Sequence, residues 1–186
     1  MTRPVLYDGF LKVVRAENGF EVVEVTDSVT ILPYDEATDS VVLISEVRPA
    51  MISPNNPTGE MLSIPAGRFD GNYGVRELMV KELAEEAGIS VSESQIELLN
   101  GGKPLALSPG ICTEKTYLGF VSVAPGQIER TERIFGNVHE GERIRRQFVP
   151  VSALPKMVFG NVTTFALFQW FWHNQASAKW RCPIGD

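Results

Sequence analysis

The segment GVRELMVKELAEEAG, Gly74–Gly88, restricts this chain more than any other. Apolar residues recur through it at helical spacing, and Gly88 stands where a helix can close on a left-handed residue. The spacing predicts a helix from about Gly74 to Ala87. Three glutamates, Glu82, Glu85 and Glu86, fall within five residues near its end. At about 100° per residue, Glu82 and Glu86 share one face a turn apart, and Glu85 lies a short arc away. Val80, Leu83, Ala84 and Ala87 fall opposite and are expected to pack inward, with the carboxylates emerging where the helix leaves the core. Like charges crowded there repel one another unless a cation neutralises them. The ordinary alternative is a solvated face, since Lys81 stands four residues from both Glu77 and Glu85 and can pair with either.

The residues just upstream favour the cation. SIPAGRFDGNYG holds a tight Pro65-Ala66-Gly67 turn between a strand and a loop, and glycine there lets backbone carbonyls approach a ligand. Carboxylates with a carbonyl are hard oxygen donors, which suit Mg²⁺ or Mn²⁺. GNYG lacks the Gly-Lys-Ser/Thr ending of a phosphate-binding loop.

The first half of the chain reads as β. FLKVVRA and FEVVEVT flank the turn ENG as a hairpin, and SVTILPYD and SVVLISEVR flank the polar turn DEATD. MLSIPAG is a further short strand, and MISPNNPTGE before it is a loop. After the helix come the strands TYLGFVSVA and QFVPVSAL, the latter leading into a short helix, and then the apolar terminal helix TTFALFQWFWHNQ. Trp170 and Trp172 in that helix are expected to fill the core. This order predicts an α/β (α+β) fold, a mixed sheet sandwiched between helices, with an N-terminal β-hairpin appendage. The arm is placed at 1–28 and the main domain at 29–186.

With 186 residues and a net charge of −6, the chain has no run of Lys or Arg to neutralise a nucleic-acid backbone. A divalent metal would still let an acidic protein take a phosphate ester. No segment reads as a signal peptide or a membrane span, so no membrane partner is expected. Cys112 and Cys182, far apart, read as reduced thiols of a cytoplasmic protein.

The helix and its upstream turn resemble the box of the Nudix hydrolases: Gly, five residues, Glu, seven residues, then Arg-Glu-apolar-any-Glu-Glu-any-Gly-apolar. Gly67 takes the first glycine, and ELAEEAGI, Glu82 to Ile89, matches position by position. Two positions depart: Tyr73 stands at the first glutamate and Lys81 at the arginine. Lys81 would orient the glutamates more weakly than arginine, lacking its bidentate fork. Outside the box, the chain resembles the branch that splits ADP-ribose and related nucleoside diphosphate sugars. LPYDEATDSVVLISEVRPA looks like its strand-turn-strand with a substrate arginine, here Arg48; SPG carries a substrate-loop proline, here Pro109. FGNVHEGERIRRQFVPV resembles its acidic loop, with Glu140 and Glu142 at the matching positions, and Gly136 and Gly141 would let that loop swing.

The resemblance implies a Mg²⁺-dependent (or Mn²⁺-dependent) pyrophosphatase. Glu82, Glu85, Glu86 and the Ala66 carbonyl are the expected metal ligands, and Glu140 or Glu142 the catalytic base. Arg48, Gly67 and Pro109 are expected at the substrate. ADP-ribose or a similar ADP-sugar is the first expectation; GDP-mannose or another sugar nucleotide is the alternative, and a nucleotide-sensing module without turnover is a third. VTDSV, Val25–Val29, lacks an arginine that the branch often has, which Lys12, Arg15 or Lys115 would have to replace. Phe10 or Tyr7 is the candidate to stack on the base, and His139 is not read as a general base. The resemblance also implies a homodimer formed through the N-terminal arm.

Overall fold

The protein is described here from a computed structural model, which describes residues 4–9, 11–137 and 141–176. Three N-terminal strands, β1 (Val5–Asp8), β2 (Lys12–Arg15) and β3 (Glu21–Glu24), form an antiparallel sheet in that order. The expected hairpin is β2 and β3; β1 adds a strand that the sequence did not announce, joined through a register shift between Val5 and Tyr7. Val23 also bridges to Cys112, so the small sheet is tied to the loop carrying Pro109.

The larger sheet is built on β4 (Ser28–Asp35) and β5 (Ser40–Val47), the strands on either side of DEATD. The others are β6 (Glu60–Ser63), β7 (Ala66–Arg68), β8 (Glu97–Leu98), β9 (Leu105–Ala106), β10 (Lys115–Val123) and β11 (Arg145–Pro150). Its central path runs β11-β5-β4-β10-β8, with β6 beside β5, β7 beside β4 and β9 beside β10. Among the described residues of this sheet, the β4–β10 ladder is parallel and the other strand pairings are antiparallel. MLSIPAG is two strands rather than one, because the chain turns at Pro65 and leaves β5 to pair with β4.

All of β4 is buried, since helices cover both faces of the sheet. Side chains alternate across it. Val29, Ile31, Val42, Val121 and Val123 pack with Leu78, Met79 and Leu83 of α1 (Val75–Ala87). Leu32, Val41, Leu43 and Phe120 pack with Leu167, Phe168 and Phe171 of α2 (Val162–Phe171). Trp170 and Trp172 pack against this second cluster, Trp170 with its ring 5.2 Å from that of Phe120, as core residues should. The mixed sheet sandwiched between helices is the fold expected from the element order.

Both helix ends are specified locally. Gly74 caps α1 with Glu77 reaching back to its N–H at 3.0 Å, and Gly88 closes it at φ +61°. Asn161 caps α2, accepting from the N–H groups of Thr163 and Thr164. Among the described residues, no helix is long and apolar enough to cross a membrane.

Candidate active site

The buried stripe of α1 is Leu78, Met79, Glu82, Leu83, Glu86 and Ala87, an i, i+3, i+4 pattern that includes two carboxylates. This corrects the expected orientation. Ala84 is exposed and Val80 only half-buried, whereas Glu82 is 8% exposed and Glu86 1%. The glutamates do not emerge from the core; they face β7 and the end of β5. Glu85 is the outward member, with its side chain 35% exposed.

β7 comes against this face through residues without bulk. A Cβ added at Gly67 would lie 2.2 Å from the Glu82 carboxylate, so glycine is what allows the strand and the acid to meet. The N–H of the neighbouring Ala66 donates to Glu86 Oε2 at 2.9 Å. Burial pushes the Glu82 carboxyl up to about 7, with Lys81 opposing and Glu85 and Glu142 adding to the rise. Burial also pushes Glu86 well above the usual carboxylate range, against the Ala66 N–H that favours its charged form. Glu82, Glu46 and Glu142 raise Glu86 further by repulsion. Glu46, at the end of β5 and 6% exposed, is a member of this cluster that sequence reasoning missed. Nothing in the pattern SEVR marks this acid as buried; only its place on the sheet does.

Lys81 pairs with Glu85, as the spacing allowed, and its second partner is Glu82 rather than Glu77. Its Nζ lies 2.9 Å from Glu85 and 3.4 Å from Glu82, while Glu77 is committed to the helix cap. Burial pulls the lysine down, yet the two carboxylates outweigh it and hold it above its usual range. The Tyr73 ring lies 5.9 Å from the same ammonium, so the two positions that depart from the box touch each other.

Among the described residues, no three Asp, Glu, His or Cys side chains form a ready-made metal cluster. The donor chemistry nevertheless suits a hard divalent cation: buried carboxylate oxygens that repel one another and a glycine that keeps the backbone close, with Glu46 nearby ion-paired to Arg48. Glu142 joins the field from the acidic loop. Its Oε2 accepts from the N–H of Asn137 at 2.9 Å, and that loop is anchored to α1 by Gly136 N–H donating to the Glu85 carbonyl. Glu140 and His139 lie outside the described residues, as does Phe10.

Beside the carboxylates is a cavity of about 310 Å³, lined by Arg48, Ala66, Gly67 and Arg68 and bounded by Thr30 and Thr163. Arg48 lines this cavity from the end of β5. Arg68 was not foreseen; it stands opposite Ser28 in the β4–β7 register, next to the VTDSV stretch that lacks a basic residue. Lys12 and Arg15, two of the expected substitutes, are instead paired with Glu24 and Glu21 in the N-terminal sheet, and Lys115 does not line the cavity. Pro109 is exposed in a turn closed on the Ser108 carbonyl and lines no part of the cavity. Tyr7, 59% exposed on β1, also lies off it.

A mixed sheet between helices, with a glutamate-bearing helix packed against a Gly67 turn, is consistent with a Nudix-like fold. No family model matches the chain. Over 163 residues it is 28% identical to the ADP-ribose pyrophosphatase of Escherichia coli (strain K12), which spans 84% of this chain and 73% of that one; the Shigella flexneri protein of the same name matches equally. It is 36% identical over 97 residues to the GDP-mannose pyrophosphatase of Enterobacter sp. (strain 638), covering 52% of this chain and 48% of the other. The chain is thus similar, at modest identity, to curated sugar-nucleotide pyrophosphatases.

Proposed function

We propose that this protein hydrolyses the pyrophosphate bond of a nucleoside diphosphate sugar, ADP-ribose or a similar ADP-sugar, giving a nucleoside monophosphate and a sugar phosphate. The observation that carries the reading is the burial of Glu82 and Glu86 against Ala66 and Gly67, beside a cavity lined by Arg48 and Arg68. Packing alone gives no reason to bury two adjacent acids.

A diphosphate resists attack because its own negative oxygens repel a nucleophile. Mg²⁺ or Mn²⁺, held by Glu82, Glu86, Glu85 and the Ala66 carbonyl, would neutralise that charge and lower the pKa of bound water. The residues of the chain do the rest. Arg48 and Arg68 fix the phosphate and sugar end of the substrate in the cavity. Lys81 holds Glu85 and Glu82 in place. Water adds to one phosphorus, the anhydride P–O bond breaks, and the water's proton passes to a loop carboxylate, Glu142 or Glu140. The match to a GDP-mannose pyrophosphatase favours a second reading in which the nucleotide is GDP-linked. We further propose a homodimer, supported by the apolar side chains Val5, Leu6, Tyr7 and Phe20 that the N-terminal sheet leaves exposed.

A panel of ADP- and GDP-sugars, incubated with Mg²⁺ or Mn²⁺ and analysed for products, tests the substrate. Cleavage of ADP-ribose foremost is expected. Glu82→Gln and Glu86→Gln should each lower turnover by about 100-fold or more, since loss of even the outer partners of a metal ligand costs about 10–100-fold. Near-native turnover in both variants would end the reading, and tight nucleotide binding without turnover in the unaltered protein would make the chain a sensor.

A further inference from the structure

A second cavity, of about 950 Å³, shares no lining residue with the one beside the carboxylates. One wall is the segment before the acidic loop, with Arg130, Arg133 and Phe135; the other is β11 after it, with Arg145, Arg146 and Phe148. In a chain of net charge −6, four arginines thus line one cavity, and among its lining residues Glu132 is the one acid. Two phenyl rings fix the guanidiniums in place. Arg146 lies 4.6 Å from the ring centroid of Phe135 and 5.0 Å from that of Phe148. Each ring carries a second guanidinium, Arg133 at 4.2 Å over Phe135 and Arg130 at 5.0 Å over Phe148. Cations and rings alternate, which holds like charges near one another at set positions.

Internal pairing accounts for part of this arrangement. Arg130 gives its fork to the buried Asp35, and Arg133 pairs with Glu129. Both remain nearly half exposed, at 44% and 48% of their side chains. Arg146 donates instead to the neutral carbonyls of Ala87 and Thr131. Neither it nor the exposed Arg145 makes an ion pair among the described residues. Burial pulls the Arg146 guanidinium below its ordinary range; Glu129 opposes this, and repulsion from Arg130 and Arg133 adds to it. Tying two chain segments together explains Arg130 and Arg133. It does not explain two further cations set against them, a concentration of charge that an incoming anion would relieve.

We propose that this cavity is a second anion site, taking a small phosphate-bearing molecule of nucleotide size on Arg145, Arg146 and the exposed side of Arg133. Its volume lies within the range of small-molecule sites, about 300–1,000 Å³. Guanidinium is the side chain that meets phosphate oxygens two at a time. The arginines converge on one cavity rather than forming the long stripe that an extended polyanion needs, which favours a small ligand. The site stands whether or not the helix glutamates bind a cation.

The test is calorimetry of the full chain with pyrophosphate and with adenosine monophosphate. A chelator is present, so that no divalent cation draws phosphate to Glu82 and Glu86. Both compounds should bind, more weakly as salt rises. Tighter binding of the monophosphate would assign a nucleotide to the site; equal binding would assign the phosphate group in any form. Arg133→Gln and Arg145→Gln should each weaken binding by about tenfold, the worth of a hydrogen bond to a charged group. Arg48→Ala, in the other cavity, should leave it unchanged. The proposal is overturned if neither compound binds at millimolar concentration, or if both groove variants titrate like the unaltered protein. Loss of binding in Arg48→Ala overturns it as well, since the anion then sits beside the carboxylates. Should the groove variants fold poorly, the guanidinium NMR signals of Arg133 and Arg146 in the unaltered protein carry the test. They should shift on titration with pyrophosphate, and signals that stay in place overturn the assignment.

Discussion

At the scale of single residues, Gly67 and Glu82 act as a pair. Any side chain at Gly67 would displace the Glu82 carboxylate, which is flexible enough to yield without disturbing the core. Gly67→Ala should therefore damage metal affinity and turnover severely while moving the melting temperature little, and parallel thermal and kinetic measurements separate the two effects. Glu82 also sets a pH dependence. Its carboxyl, ordinarily near 4.5, rises to about 7 in the folded protein, so the native state holds this proton more tightly than the unfolded chain does. Metal-free stability should consequently fall as pH climbs from about 4.5 to about 7. A divalent cation binds the ionised form, and the gain in melting temperature on adding Mg²⁺ over a chelator should widen across the same interval. A gain that stays constant between acid and neutral pH would contradict this assignment.

The elements show why the site is rigid where it must be. α1 ends at Gly88, whose left-handed backbone brings it against Phe135 and Arg146. A Cβ there would lie 2.7 Å from the Phe135 ring, and Arg146 donates from its guanidinium to the Ala87 carbonyl at the helix end. Gly88→Ala should cost about 1–2 kcal/mol from the backbone conformation alone, with a further loss from the collision with Phe135, read by urea unfolding. Because Phe135 also bridges to Ile144 at the start of the acidic loop's return, the same change should loosen Glu142 and lower turnover. Helix existence, its boundaries and its cap were legible in sequence because they depend on neighbours along the chain. The direction in which its glutamates point was not. Wheel geometry fixes angles within a helix, but which arc meets the sheet depends on where β5 and β7 stand. The pairing of Lys81 with Glu85 was legible from i, i+4 spacing, whereas the choice of Glu82 over Glu77 was not, because Glu77 is taken by the helix N-terminus.

For the whole molecule, the exposed apolar row on the N-terminal sheet is the feature a monomer explains least well. If a second copy covers it, Phe20→Asp, at a position 63% exposed, should shift the protein from dimer to monomer in analytical ultracentrifugation without unfolding the larger sheet. An unchanged dimer would place the contact elsewhere. The link from Val23 to Cys112 connects that arm to the loop carrying Pro109, so a monomer with lowered substrate affinity is the expected companion result. The sequence by itself determined the α/β class, the helix that carries Glu82, Glu85 and Glu86, and the glycine turn beside it, because these are written in local spacing and in backbone requirements. Only the tertiary structure decided that Glu46 is buried at the end of β5, that Arg68 lines the cavity with Arg48, and that Lys12 and Arg15 pair within the N-terminal sheet. Strand pairing and the alternation of faces bring together side chains far apart in the chain, and burial then raises the carboxyls of Glu82 and Glu86 above their ordinary range.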